Sequence, residues 1–130
     1  MLSYLTKSEL LSRYELNLSI YFEYYELERI INAVLNKYGV EYEDVNKSME
    51  LQKDNIIIKA NSYNIEKLFK EVFNQEIPCS YCMSETSIYL TFGQTNKLLE
   101  KALNNYFNTN EKTTVVGMAL EEEGVSIIFY

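Results

Sequence analysis

From Glu15 to Glu23 polar and apolar residues alternate, with Leu16, Leu18, Ile20 and Phe22 on one parity and Glu15, Asn17, Ser19, Tyr21 and Glu23 on the other. A period of two is that of a strand with one buried face. The period then lengthens. Leu27, Ile30, Ile31, Val34, Leu35 and Tyr38 recur at helical spacing and Gly39 follows, which predicts a helix over 25–38 closed by a glycine cap. Met49 and Leu51 lead through Lys53-Asp54-Asn55 into Ile56-Ile57-Ile58, a hairpin pattern whose turn would place Asn55 where positive φ is tolerated. Ahead of these elements, Thr6-Lys7-Ser8-Glu9 has the form of a capping box flanked by Leu5 and Leu10, so a short helix is expected from about residue 7 to Tyr14.

The same sequence of patterns returns further along. Asn61 or Ser62 can cap a helix carrying Ile65, Leu68, Phe69, Val72 and Phe73 on one stripe, and Pro78 marks the loop after it. Ser87 to Phe92 reads as a strand, and Leu98, Leu99, Ala102, Leu103, Tyr106 and Phe107 as a helix. Val115 to Leu120 and Val125 to Phe129 form a closing hairpin, with Gly124 suited to a left-handed backbone where the first hairpin has Asn55. A shift of 68 places lays Ser19-Ile20-Tyr21 on Ser87-Ile88-Tyr89, and Leu35, Asn36 and Tyr38 on Leu103, Asn104 and Tyr106. A shift of 69 lays Met49 to Asn55 on Met118 to Gly124. Identity is low, but parity and turn position persist, as in an ancient duplication.

These patterns predict an α+β fold: an antiparallel or mixed sheet with helices packed on it, built from tandem β-α-β-β repeats. The expected organisation is one domain over 1–130 made of two related halves, about 1–61 and 62–130. Residues 15–92 taken alone have the β-α-β-β-α-β order of a ferredoxin-like unit, extended here by α-β-β. The tandem β-α-β-β order is similar, in architecture alone, to that of GyrI-type effector-binding domains.

Composition narrows the classes of function. The chain is 47% hydrophobic and 24% charged, an ordinary globular balance, with no apolar run of ~20 residues. Lys7 and Glu9 interrupt the first candidate leader, so a cytoplasmic protein without a membrane span is expected. Nineteen acidic residues against 12 basic ones give a charge of −7, which disfavours direct nucleic-acid binding and favours a basic protein partner. Twelve tyrosines also fit a recognition surface, because tyrosine offers contact area and a hydroxyl at low entropic cost. A low-GC genome enriches Tyr, Asn, Lys and Ile as well, and charge of this size also serves solubility.

The chain lacks the residues that the most common hydrolase mechanisms need. It contains no histidine, which removes His-dependent triads, relays and metal sites, and its four glycines form neither a P-loop nor a dinucleotide fingerprint. Carboxylates group at Glu23/Glu26, Glu41/Glu43/Asp44 and Glu121/Glu122/Glu123, a pattern typical of solvated turns. Cys79-Ser80-Tyr81-Cys82 is a C-x-x-C between a loop and a strand rather than at a helix N-terminus, so redox chemistry is not expected. It is half of a thiolate zinc site, and Cys79 and Cys82 would bind metal only in a zinc-bridged dimer. No cofactor and no enzymatic activity are therefore expected, a carboxylate-based enzyme being the weakest reading. A homo-oligomer is compatible with the sequence.

Strand parity turns Tyr21 and Glu23, and in the second half Tyr89 and Thr91, away from the core, with Glu50 beside them on the neighbouring hairpin. If the helices cover only the other face, this one is open. Together with the turn Glu121-Glu122-Glu123 it forms the candidate binding surface. Two functions follow. The first is a non-enzymatic inhibitor or adaptor that occupies a basic, nucleic-acid-binding surface of a partner, as phage or mobile-element counter-defence proteins of the anti-CRISPR or anti-restriction kind do. The alternative is an effector-binding module that holds a small organic cation in a pocket between the repeats, lined by Tyr21, Tyr89 and a carboxylate.

Overall fold

Leu18, Ile20 and Phe22 are buried while Ser19, Tyr21 and Glu23 are exposed, so the alternation builds strand β1 (Leu18–Glu23). The computed structural model describes residues 18–48, 53–76, 85–108 and 112–130. The Thr6-Lys7-Ser8-Glu9 capping box and its helix, Met49, Glu50, Leu51, Pro78 and the Cys79/Cys82 pair lie outside the described residues.

Helix α1 (Tyr24–Leu35) follows β1 without a loop and buries Leu27, Ile30, Ile31, Val34 and Leu35. One 3₁₀ turn over Asn36–Tyr38 extends it to Gly39, whose φ of 71° is the left-handed cap the sequence predicts. Strand β2 (Glu41–Ser48) pairs antiparallel with β3 (Lys53–Ala60), with a bulge between Tyr42 and Asp44. That ladder continues to Ser48 opposite Lys53 and holds Asn55 opposite Asn46. Asn55 is therefore inside a strand rather than at the turn, and it is not among the residues with positive φ.

Asn61 caps α2 (Ser62–Val72) by accepting the Asn64 N–H, and Ile65, Leu68, Phe69 and Val72 are buried along one stripe. Strand β4 is short, Thr86–Tyr89, and α3 runs from Phe92 to Phe107. Thr91 does not extend the strand. Its hydroxyl accepts the Gln94 N–H at 3.2 Å while the Gln94 side chain accepts the Thr91 N–H at 3.0 Å, a reciprocal capping box. Strands β5 (Val115–Leu120) and β6 (Gly124–Phe129) close the chain as a hairpin.

The six described strands form two three-stranded antiparallel sheets, β1-β6-β5 and β2-β3-β4. A ferredoxin-like unit within residues 15–92 would seat β1 beside β3, whereas β1 pairs with β6. Each sheet instead combines one hairpin with the lone strand of the other half. Ile20 stands opposite Ile127 in one sheet, and Ile88 opposite Ile58 in the other. Helices α1 and α3 pack on each other; α1 also meets β1, β2 and β6, and α3 meets β3 and β5, so the core lies between both helices and both sheets. The rings of Phe22 and Tyr106 meet edge to face at 5.1 Å, and Phe107 and Phe129 lie 5.7 Å apart, joining α3 to β1 and β6. One buried polar group strengthens the junction of β3 with α3: the Thr95 hydroxyl accepts the Ile56 N–H at 3.2 Å.

Candidate functional site

The β5–β6 turn carries Glu121, Glu122 and Glu123, all exposed, and α1 begins directly against it. The Tyr24 N–H donates to the Glu123 carbonyl at 3.4 Å, and the Tyr24 hydroxyl donates to the Glu121 carbonyl at 2.6 Å. Glu121 is further placed by its N–H bond to the Gly124 carbonyl (2.8 Å) and by the Ser126 hydroxyl donating to its carboxylate (3.0 Å). The turn is thus clamped to the first turn of a helix rather than hanging free.

Tyr21 and Glu23 project beside it. Glu23 lies opposite Gly124 in the β1–β6 ladder, and the Tyr21 ring covers Gly124 so closely that a Cβ there would stand 2.6 Å from the phenol oxygen. The need for glycine at 124 comes from this approach, and from the Phe22 carbonyl, which such a Cβ would strike. It does not come from a left-handed backbone, since Gly39 is the glycine with positive φ. Burial and the carboxylates of Glu121, Glu123 and Glu23 raise the Tyr21 pKa above its ordinary value, with a smaller push from Tyr24.

A third tyrosine extends this surface. Tyr42 follows the α1–β2 connection, its N–H held by the Asn32 side chain at 3.0 Å. Burial, then Asp44, Glu28 and Tyr24, push its pKa upward. Among the described residues the ion pairs are Lys59 with Glu85 and Lys97 with Glu100, and neither involves a carboxylate of this group. Tyr21 is 44% exposed and Tyr25, on the next turn, 65%. The arrangement can accept hydrogen bonds from guanidinium or ammonium groups and offer aromatic faces to their stems.

Tyr21, Glu23, Glu121 and Glu123 come together at this end, and Glu122 shares the turn. Tyr89 is 60% exposed but belongs to the other sheet, opposite Ile57, where the Ser87 hydroxyl donates to Glu43 at 2.8 Å. Thr91 caps α3, and Glu50 lies outside the described residues. A surface cavity on α2 around Tyr63 and another beside α3 around Lys101 are lined by neither Tyr21 nor Tyr89. Sequence reasoning overlooked Tyr24 and Tyr42. The available signal was the placement of Tyr24 directly after Glu23 at a change of period, and of Tyr42 between Glu41 and Glu43.

No protein-family model, no curated protein and no solved structure matches this chain. No group of metal-ligating side chains large enough to hold an ion occurs among the described residues, and no helix among them is long and apolar enough to cross a membrane.

Proposed function

We propose that this protein is a non-enzymatic, acidic protein-binding module that occupies a basic, nucleic-acid-binding surface of a partner, in the manner of a counter-defence inhibitor. The observation that carries this reading is the convergence of Tyr21 and Tyr24 with Glu23, Glu121 and Glu123 on a turn fixed by backbone hydrogen bonds. Carboxylates carried on a turn held by hydrogen bonds can take the place of phosphates with less ordering cost on binding, and half-exposed tyrosines supply the contact area of a hot spot. The net charge of −7 adds long-range steering toward a basic groove.

We read the architecture as tandem β-α-β-β halves that have exchanged their first strands. Three correspondences support this. The pair Ile20–Ile127 maps onto Ile88–Ile58 at shifts of 68 and 69. Both hairpins have a bulge near the start of their first strand, at Tyr42/Asp44 and at Val115/Gly117. A helix side chain accepts the strand N–H at each of these places, Asn32 from Tyr42 and Glu100 from Val115, and those two acceptors are also 68 residues apart.

The test is kinetic, on a partner captured from the native host and then purified. Association should slow as salt rises, because exposed charges are screened over ~8 Å at physiological ionic strength. Combined Glu121→Lys, Glu122→Lys and Glu123→Lys should lower the association rate at least ~10-fold with the far-ultraviolet spectrum unchanged. Tyr25→Ala should raise the dissociation rate if that ring is an anchor. Binding that is indifferent to salt and to the triple reversal would refute the proposal.

A further inference from the structure

The opposite end of β5 has the reverse electrostatic character. Lys97 and Lys101 project from successive turns of α3, and Lys112 enters from the segment leading into β5, around a cavity of about 490 Å³. Three of the chain's 12 basic residues thus line one recess, and among its described lining residues Glu100 is the one carboxylate. Glu100 is already engaged, accepting the Val115 N–H at 3.2 Å and facing Lys97 at 3.6 Å. Lys101 and Lys112 make no ion pair among the described residues.

The same cavity is lined by Thr113, which is 0% exposed and whose hydroxyl oxygen has no hydrogen-bond partner. Its backbone N–H is satisfied by the Asn104 side chain at 3.2 Å, leaving the hydroxyl as the orphan. A buried hydroxyl without a partner is destabilising and calls for an explanation. Packing does not supply one. Val40, as far ahead of the β2 bulge as Thr113 is ahead of the β5 bulge, is buried with a side chain of the same shape and no hydroxyl.

We propose that this cavity is an oxyanion site that takes the phosphoryl group of a small molecule, with Lys97, Lys101 and Lys112 supplying charge and the Thr113 hydroxyl and Asn104 amide supplying neutral donors. Among the described lining residues, three ammonium groups against one carboxylate leave a local excess that matches a phosphate dianion. The cavity volume falls within the range of small-molecule sites. β5 spans six residues, which at ~3.3 Å per residue keeps the site about 17 Å from the acidic turn at the strand's other end. An anion can therefore bind here without meeting the carboxylates of the protein-binding surface.

The experiment uses the full chain, with inorganic phosphate and adenosine 5′-monophosphate as probes and sodium chloride at matched ionic strength as control. Thermal unfolding and amide chemical shifts are followed together. Phosphate or the nucleotide should raise Tm with concentration and shift the amide signals of Asn104, Lys112, Thr113 and Val115. Lys101→Ala and Lys112→Ala should each weaken binding ~10-fold, the scale of one charge-assisted contact. Thr113→Val should leave Tm without phosphate equal or higher, because it removes an orphan, and still weaken phosphate binding several-fold. Tighter binding of the nucleotide assigns a phosphorylated small molecule, whereas binding of phosphate alone assigns free phosphate; either supports the oxyanion site. The proposal is overturned if neither probe raises Tm above the chloride control, if the lysine variants bind as the parent does, or if Thr113→Val destabilises the phosphate-free protein.

Discussion

Gly124→Ala is the sharpest test of how closely β1 approaches the final hairpin. The new methyl carbon would strike the carbonyl oxygen of Phe22 and stand 2.6 Å from Tyr21 Oη and 2.7 Å from Tyr21 Cζ. The half-exposed tyrosine can swing into solvent. The Phe22 carbonyl cannot, because Phe22 and Glu23 are paired with Val125 and Gly124 in the β1–β6 ladder and the Phe22 side chain is buried against Tyr106. Relief therefore requires the strands to part, and overpacking of this kind costs about 1–3 kcal/mol, with the upper end expected where backbone is the obstacle. Gly93 provides the control. It lies in the first turn of α3 with nothing within 4 Å of a Cβ, so Gly93→Ala should stabilise by about 0.5–1 kcal/mol. Equilibrium urea unfolding, followed by circular dichroism and tyrosine fluorescence in a chain without tryptophan, measures both. Adding Tyr21→Ala to Gly124→Ala should recover only part of the loss. A Gly124→Ala protein within about 0.5 kcal/mol of the parent would refute the strand approach described here, and full recovery in the double variant would place the obstacle in the ring alone.

Two further outcomes can be measured on the same footing. Thr95→Val should cost about 1–3 kcal/mol in urea unfolding, because it leaves the buried Ile56 N–H without an acceptor, while Thr95→Ser should restore most of that loss. The Tyr42 pKa is raised in the folded state, so the folded protein holds this proton where the unfolded chain releases it. The stabilisation is complete below about pH 10 and declines as pH rises beyond it, by at most about 1.4 kcal/mol per pH unit. Tyr42→Phe should flatten the alkaline limb of the stability profile between about pH 10 and 11, and an unchanged limb would remove Tyr42 as its source.

Local periodicity, read from the chain alone, was enough to specify β1, the three described helices and the β5–β6 hairpin, because burying one face imposes a repeat of two or 3.6 on neighbouring residues. It also specified the Gly39 cap and narrowed the next helix cap to Asn61 or Ser62, of which the structure uses Asn61, because capping chemistry is local. β2 escaped notice because its bulge breaks the alternation between Tyr42 and Asp44 and because five of its eight residues are charged or amide. Thr91 sits after an apolar-polar alternation that suits a strand, and only the reciprocal bond with Gln94 made it a helix cap. Which strands pair was decided by tertiary structure. Ladder hydrogen bonds join backbone atoms common to every residue, so nothing in the local pattern says that β1 seeks β6 and β4 seeks β3. That pairing, together with the clamp of Tyr24 on the Glu121–Glu123 turn, gathers Tyr21, Glu23, Glu121 and Glu123 at one end and puts Tyr89 in the other sheet. Residue types showed that the chain is acidic and rich in tyrosine; the long-range closure of two sheets determined which of these residues meet.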